Sequence, residues 1–481
     1  MLSRKHARRR ASRAFGSVIT ATRRVSPRVL RVLFRPRRPR PSGARGSAVL
    51  FVCLGVSAAL AIAAGAAGSA PSFGRAQNYA TGPGPTSLAI GDMNGDHKPD
   101  LATANGDSTS VSVLLNKGRG RFEARRDYPT GGGPLSVAIA DLNADGKPDL
   151  ATANSGAETV SVLLNKGDGS FLAKRDYPRG ARPVSLASGD LDGDGTPDLA
   201  TANGDVNSLS VLLNRGDGSF PAGRDYPTGG GPVSVAIGDL NGDQKPDLAT
   251  ANADATSVSV LLNTGNGGFG AKQDYETESS PGSVAIGDLN GDRKPDLASA
   301  NISSTISVLL NRGDGSFRAK RDYRTGSLAA SVAIGDLNGD AASDMVTANY
   351  DASSVSVLAK RPGGLFQAKR DYRTGGDPRF VAIGDLNGDG KPELATANAQ
   401  VNTLSVLGNT TGLCVAPKVI RMTVAAAKRA IARADCRVGT IGRAYSRTVK
   451  TGRVISQRPR PGMVLRKGGK VTLIVSRGRK R

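Results

Sequence analysis

The sequence predicts an all-β fold: a seven-bladed β-propeller of four-stranded blades closed by an N-terminal strand, followed by a small α+β domain. Three observations carry this expectation. A loop of the form Asp-x-Asn-Gly-Asp-x-x-Pro-Asp-Leu, first met at Asp92 to Leu101, returns six times, with first carboxylates at Asp141, Asp190, Asp239, Asp288, Asp336 and Asp385. Successive loops are 49 residues apart, apart from one step of 48 between Asp288 and Asp336, and a fixed period of this length marks a repeat array. Each period holds four short runs of strand type between Gly/Asn/Asp turns. The last period lacks its fourth run, and the missing one stands ahead of the first.

Taken in order, residues 1–46 form a basic, Pro- and Arg-rich n-region without apolar periodicity, read as disordered. Residues 47–70 contain an apolar run, Ala48 to Ala67, ending in the small residues Ala66-Ala67-Gly68-Ser69-Ala70. A basic flank, an apolar core and a small-residue exit describe an export signal. The run is also long enough to span a bilayer, so a membrane anchor at 47–67 with its N-terminus inside is the competing reading. Cys53 lies mid-run and does not mark a lipid attachment site, and Arg23-Arg24 is too far upstream for a twin-arginine signal.

The propeller is expected over 71–412. In the unit from Ser136 to Tyr177, Ser136 to Ala140 is a compact first strand and Leu150 to Asn154 a second. Val160 to Leu164 alternates as a third, and Phe171 to Tyr177 follows a Gly-rich turn as the fourth. Four strands per unit in seven units is propeller arithmetic. The last unit reaches Leu404 to Leu407 and stops at Gly412, and Phe73 to Tyr79 supplies the absent strand. A sheet left open would expose two edges, and an N-terminal strand in the last blade removes them. A solenoid would need caps at both ends, and none is visible.

Every loop carries oxygen side chains at positions 1, 3, 5 and 9. These are Asp92, Asn94, Asp96 and Asp100; Asp141, Asn143, Asp145 and Asp149; Asp190, Asp192, Asp194 and Asp198; and Asp239, Asn241, Asp243 and Asp247. The later three are Asp288, Asn290, Asp292 and Asp296; Asp336, Asn338, Asp340 and Asp344; and Asp385, Asn387, Asp389 and Glu393. Oxygen donors wrapped around one point suit a hard cation, and grouped carboxylates repel without one. Calcium is the expected ion, up to seven per chain and structural in role. An EF-hand is excluded because no closing Glu is present and a strand follows. Mg²⁺ is disfavoured because it rarely takes a cage made of protein alone.

These repeats resemble the FG-GAP/VCBS repeats of integrin-like seven-bladed propellers, whose Asp-x-(Asp/Asn)-x-Asp-Gly-x-x-Asp loops hold calcium between the first two strands of a blade. Position 6 departs from that pattern. It is Gly only at Gly146, Gly195 and Gly390, and is His97, Gln244, Arg293 and Ala341 in loops where a positive φ is more costly. The sixth loop also loses the Lys-Pro pair, and the seventh ends in the longer Glu393, so these two are expected to be the weakest sites. The resemblance places a ligand on the face opposite the loops, at connections such as Thr130 to Pro134 and Gly106 to Thr109.

After Gly412 the composition changes. A C-terminal domain is expected over 413–481, with a helix from Thr423 to Ala434 that Thr423 can cap, and strands at Cys436 to Gly439, Val454 to Gln457 and Val471 to Val475. Val454-Ile-Ser-Gln-Arg-Pro-Arg-Pro-Gly462 and Val471-Thr-Leu-Ile-Val-Ser476 resemble a PASTA domain, which implies affinity for peptidoglycan or its fragments. Cys414 and Cys436 remain after export, an even number in an oxidising setting, so a disulfide is expected, with two free buried thiols as the alternative.

The formal net charge of +24 is segregated. Residues 71–413 carry 31 basic and 40 acidic side chains, whereas residues 414–481 carry 19 basic side chains and one acid, Asp435. An acidic main domain argues against nucleic-acid binding. The absence of Trp and the low aromatic content argue against a deep apolar pocket. The only histidines are His6 and His97, so no Ser-His-Asp or Cys-His set can be assembled. The repeated Arg-Asp-Tyr, as at Arg126 to Tyr128, reads as an edge ladder with Arg and Asp solvated and Tyr packed.

The function expected is that of an exported, calcium-stabilised, non-enzymatic binding or adhesion protein, secreted or associated with the cell envelope. Its C-terminal domain would hold peptidoglycan or an anionic wall polymer, and its propeller an unknown protein or glycan. The alternatives are an extracellular enzyme, a lyase or glycosidase, on a propeller scaffold, or a purely structural envelope protein.

Overall fold

A computed structural model describes residues 70–479 except 180, 362–365, 435 and 467. The n-region and the export signal or anchor lie outside the described residues. Within them, seven four-stranded antiparallel sheets repeat one plan. In the first blade, strand Pro85–Gly91 pairs with Asp100–Asn105, that with Ser110–Leu114, and that with Arg126–Pro129. The first strands of neighbouring blades touch around the whole ring, and Pro378–Gly384 of the last blade meets Pro85–Gly91 of the first. Gln77–Ala80 closes that last blade by pairing antiparallel with Thr403–Leu407, Gln77 opposite Val406. The expected split blade is present, and the ring has no open end.

Small residues allow this packing. The second strand, Asp-Leu-Ala-Thr-Ala-Asn in most blades, is buried throughout, so no bulky side chain fits between neighbouring sheets. The glycine ending most first strands is a contact point: a Cβ on Gly287 would meet Ile334 of the next blade at 2.9 Å. First strands open on Pro in six blades, where a missing N–H is tolerated, and a bulge follows it, as between Pro134 and Ser136.

The fourth strand is shorter than the sequence suggested, starting at Arg175 rather than Phe171. Phe171 instead forms an isolated bridge with Asn165 and turns inward, because its ring is needed at the seam. There it meets Tyr128 of the preceding blade edge-on, centroids 5.1 Å apart, and the Tyr128 hydroxyl donates to Gly169 O at 3.0 Å. Seven such Tyr–Phe pairs run round the ring, and Phe73 with Tyr372 supplies the one at the closure. The edge Asp is less free than a solvated ladder implies. Ser112 Oγ donates to Asp127 Oδ1 at 2.6 Å, and Asn105 Nδ2 donates to Ser112 Oγ at 2.9 Å.

In the C-terminal region α1, Val424–Arg433, starts where expected: the Thr423 side chain accepts the Ala426 N–H. Ala427 and Ile431 bury its inner face with Val454, Val471 and Leu473. Strand Lys470–Ser476 lies centrally, with Val454–Arg458 antiparallel on one side and Arg437–Ala444 parallel on the other. The last of these runs further than Cys436 to Gly439. A short pair, Leu413–Val415 with Val464–Arg466, was not anticipated. Cys414 and Cys436 are disulfide-bonded in this core, so the free-thiol alternative falls. Among the described residues no helix is long and apolar enough to cross a membrane.

Candidate metal centre

Each acidic loop joins the first and second strands of its blade, and its conformation is written by its own side chains. In the first loop Asp92 Oδ1 accepts the N–H groups of Gly95 at 2.8 Å and Asp96 at 3.1 Å, and Oδ2 accepts His97 N–H at 2.7 Å. Asn94 Oδ1 accepts Asp96 N–H at 3.0 Å, and Asp96 Oδ1 accepts Lys98 N–H at 3.0 Å. This winding forces position 6 into the left-handed region whatever its side chain. His97, Gln244, Arg293 and Ala341 have φ of 62°, 69°, 68° and 65°. The strain expected there is real, and the Asp at position 1 opposes it by holding the N–H of that residue in every one of these loops.

Position 9 differs from the other three. Asp100 is fully buried, taking Met93 N–H on Oδ2 at 2.8 Å and Asn116 N–H on Oδ1 at 2.7 Å. It therefore ties the loop to the end of the third strand, and its counterparts do the same in all blades. Burial pushes the carboxyls of Asp100, Asp149 and Asp296 up to about 6. The same burial pushes Asp198, Asp247, Asp344 and Glu393 up to about 7. Backbone N–H donors favour the anion in each case, while the surface carboxylates of the same loop disfavour it.

Positions 1 and 3 are half-buried, with Asp239 buried, and position 5 is exposed, and they are not equivalent among blades. In the third loop one carboxylate oxygen each from Asp190, Asp192 and Asp194 lie within 4.8 Å of one another. Burial, then the charges of Asp194 and Asp190, raise the Asp192 carboxyl above its ordinary range. This set of hard oxygens fits a calcium-like cation and would lose its mutual repulsion on binding one. Three other loops place an ammonium beside the group: Lys98 Nζ is 2.7 Å from Asp96, Lys147 Nζ 3.3 Å from Asp145 and Lys245 Nζ 3.4 Å from Asp243. The third loop has Thr196 at that place, whose Oγ1 donates to Asp194 at 2.7 Å. In the seventh, Asn387 Nδ2 is drawn to Glu393 Oε1 at 2.7 Å, which the longer side chain makes possible.

Sequence reasoning missed a further participant. The Asn two residues after the third strand bridges to the loop of the preceding blade: Asn165 Nδ2 donates to Met93 O at 2.8 Å there, and to Pro148 O of its own blade at 2.7 Å. The signal was present, since Leu-Leu-Asn recurs at Asn116, Asn165, Asn214, Asn263 and Asn311, but it reads as a turn residue without the ring closure.

A family model described as an FG-GAP-like repeat matches residues 92–152, 141–201, 190–250, 239–299, 288–347 and 336–396. A PASTA domain model matches residues 415–477. No curated protein matches the chain. Among solved structures, BBS1N in complex with ARL6DN superimposes with a TM-score of 0.51 at 12% identity, over 70% of this chain and 96% of that one. Virginiamycin B lyase from Staphylococcus aureus, in a structure with quinupristin, gives 0.50 at 12% identity, over 70% of this chain and 99% of that one. At such identities the likeness is one of fold.

Proposed function

This chain belongs to the FG-GAP-like repeat family and carries a PASTA domain at its C-terminal end, and from that premise we propose that it is an exported, calcium-stabilised binding protein of the cell envelope without catalytic activity. In this reading the propeller, 71–412, presents a protein or glycan site on the face opposite the acidic loops. The region 413–481 holds peptidoglycan or an anionic wall polymer, and 47–70 directs export.

The observation that carries the reading is the division of charge. An acidic ring is joined to a segment with 19 basic side chains and one acid, and that segment complements anionic polymers by electrostatics alone. The buried Cys414–Cys436 disulfide suits an oxidising compartment. The loops suit a structural role for the metal, since oxygens from four loop positions leave little coordination for a substrate, and the plan is repeated in every blade. The ions implied are calcium, held by positions 1, 3 and 5 with position 9 behind them.

The test is co-sedimentation with purified peptidoglycan at moderate salt. The full chain is expected in the pellet and a chain ending at residue 412 in the supernatant. Equal partition of the two would refute the wall-binding assignment.

A further inference from the structure

In six blades Asn stands two residues after the third strand, and in one it does not. Asn311 shows the common pattern: its N–H donates to the buried Asp296 of its own blade at 2.8 Å, and its Nδ2 donates to Leu240 O in the loop of the preceding blade at 2.8 Å. Asn409 repeats it, with Nδ2 on Leu337 O at 2.9 Å. In the sixth blade the residue is Lys360. Its N–H still donates to Asp344 Oδ1, at 2.8 Å, so the backbone is in register. The side chain is 7% exposed, and its ammonium lies 5.5 Å from the centre of the Phe366 ring.

At the equivalent position Asn311 and Asn409 each reach the loop of the preceding blade, which for Lys360 is the loop of the fifth blade, Asp288 to Asp296. Burial pulls the Lys360 ammonium below its ordinary range, while the charges of Asp288, Asp296, Asp292 and Asp344 hold it up. Three of those four belong to the fifth loop. Lys294 of that loop does not neutralise it: its Nζ donates to Arg312 O at 2.6 Å, as Lys391 of the seventh loop donates to Thr411 O, whereas the lysines of the first, second and fourth loops pair with their own Asp.

We propose that Lys360 is a built-in cation for the fifth loop, taking there the electrostatic role that calcium has in the others, so that the ring binds one calcium ion fewer than its loops suggest. The inference rests on the calcium reading above. A divalent ion in that loop would share its field with this largely buried ammonium, and like charges in a partly buried site disfavour binding.

The experiment is calcium stoichiometry by equilibrium dialysis on the full chain, with melting temperature measured in chelator and in excess calcium. Lys360→Asn restores the residue of the other blades and is expected to bind one calcium ion more than the unaltered chain. Lys360→Arg, which keeps the charge, is expected to bind the same number as the unaltered chain. In chelator Lys360→Asn is expected to melt lower than the unaltered chain, and calcium is expected to restore it. Equal stoichiometry for the unaltered chain and Lys360→Asn, both folded, would overturn the proposal. If no variant binds calcium, the calcium reading falls with it. A lower melting point of Lys360→Asn than of Lys360→Arg in chelator would then still show the ammonium neutralising the loop.

Discussion

In the ring, every blade buries a carboxylate such as Asp198 and keeps the position-5 carboxylate of the same loop exposed. The C-terminal region carries a single acid, Asp435, which lies outside the described residues, and it closes its core on the Cys414–Cys436 bond. One part is thus expected to couple its stability to protons and, in the calcium reading, to cations, and the other to the redox state. The two should respond to different insults, and each response can be checked against the other half of the same chain.

The largest contrast is expected with pH. In the metal-free ring seven buried carboxyls titrate near 6 or 7, against about 4 in an unfolded chain. The folded ring then holds protons that the unfolded chain has already shed. Its stability is greatest below about pH 4, falls as pH rises through the window to about 7, and levels off above it. Denaturant melts of the chelated chain at several pH values should show this slope in the ring transition and none in the C-terminal one. Calcium should flatten it by holding the carboxylates ionised.

Breaking the disulfide reverses the contrast. Changing both Cys414 and Cys436 to Ala removes a cross-link over a sequence separation of 22, which is expected to cost the C-terminal region roughly 3 kcal/mol. The ring transition should not move. A smaller effect sharpens the comparison within the ring. Asp192→Asn gives the third loop the side chain found elsewhere, and calorimetric titration should show one site weakened about tenfold, or about 1.4 kcal/mol. The smallest expected effect is that of Thr423→Ala. It removes the acceptor for the Ala426 N–H and should lower the C-terminal transition by about 1 kcal/mol, measured by thermal unfolding.

The ring was legible because its repeat is carried by local signals: the spacing from Asp92 to Asp385, the turn residues, and the displaced strand at Gln77 to Ala80. The capped helix from Thr423 was legible for the same reason. What escaped was non-local. Phe171 read as the start of a strand because its partner, Tyr128, lies in another blade. Asn165 read as a turn residue because the carbonyl it binds, Met93 O, is 72 positions away. In the loops, residue types were readable but their company was not. Nothing local distinguishes Lys98, which pairs with Asp96, from Lys294, which does not; Lys360 is set apart in the sequence by replacing the Asn of the other blades, but its burial shows only in the fold.

Calorimetry of the full chain with and without a calcium chelator tests the central claim most directly. The ring transition is expected to fall by on the order of 10 °C or more on chelation, as the loss of several bound ions requires, and to return when calcium is restored, with the C-terminal transition unmoved throughout. A ring transition at the same temperature in chelator and in calcium would contradict the account.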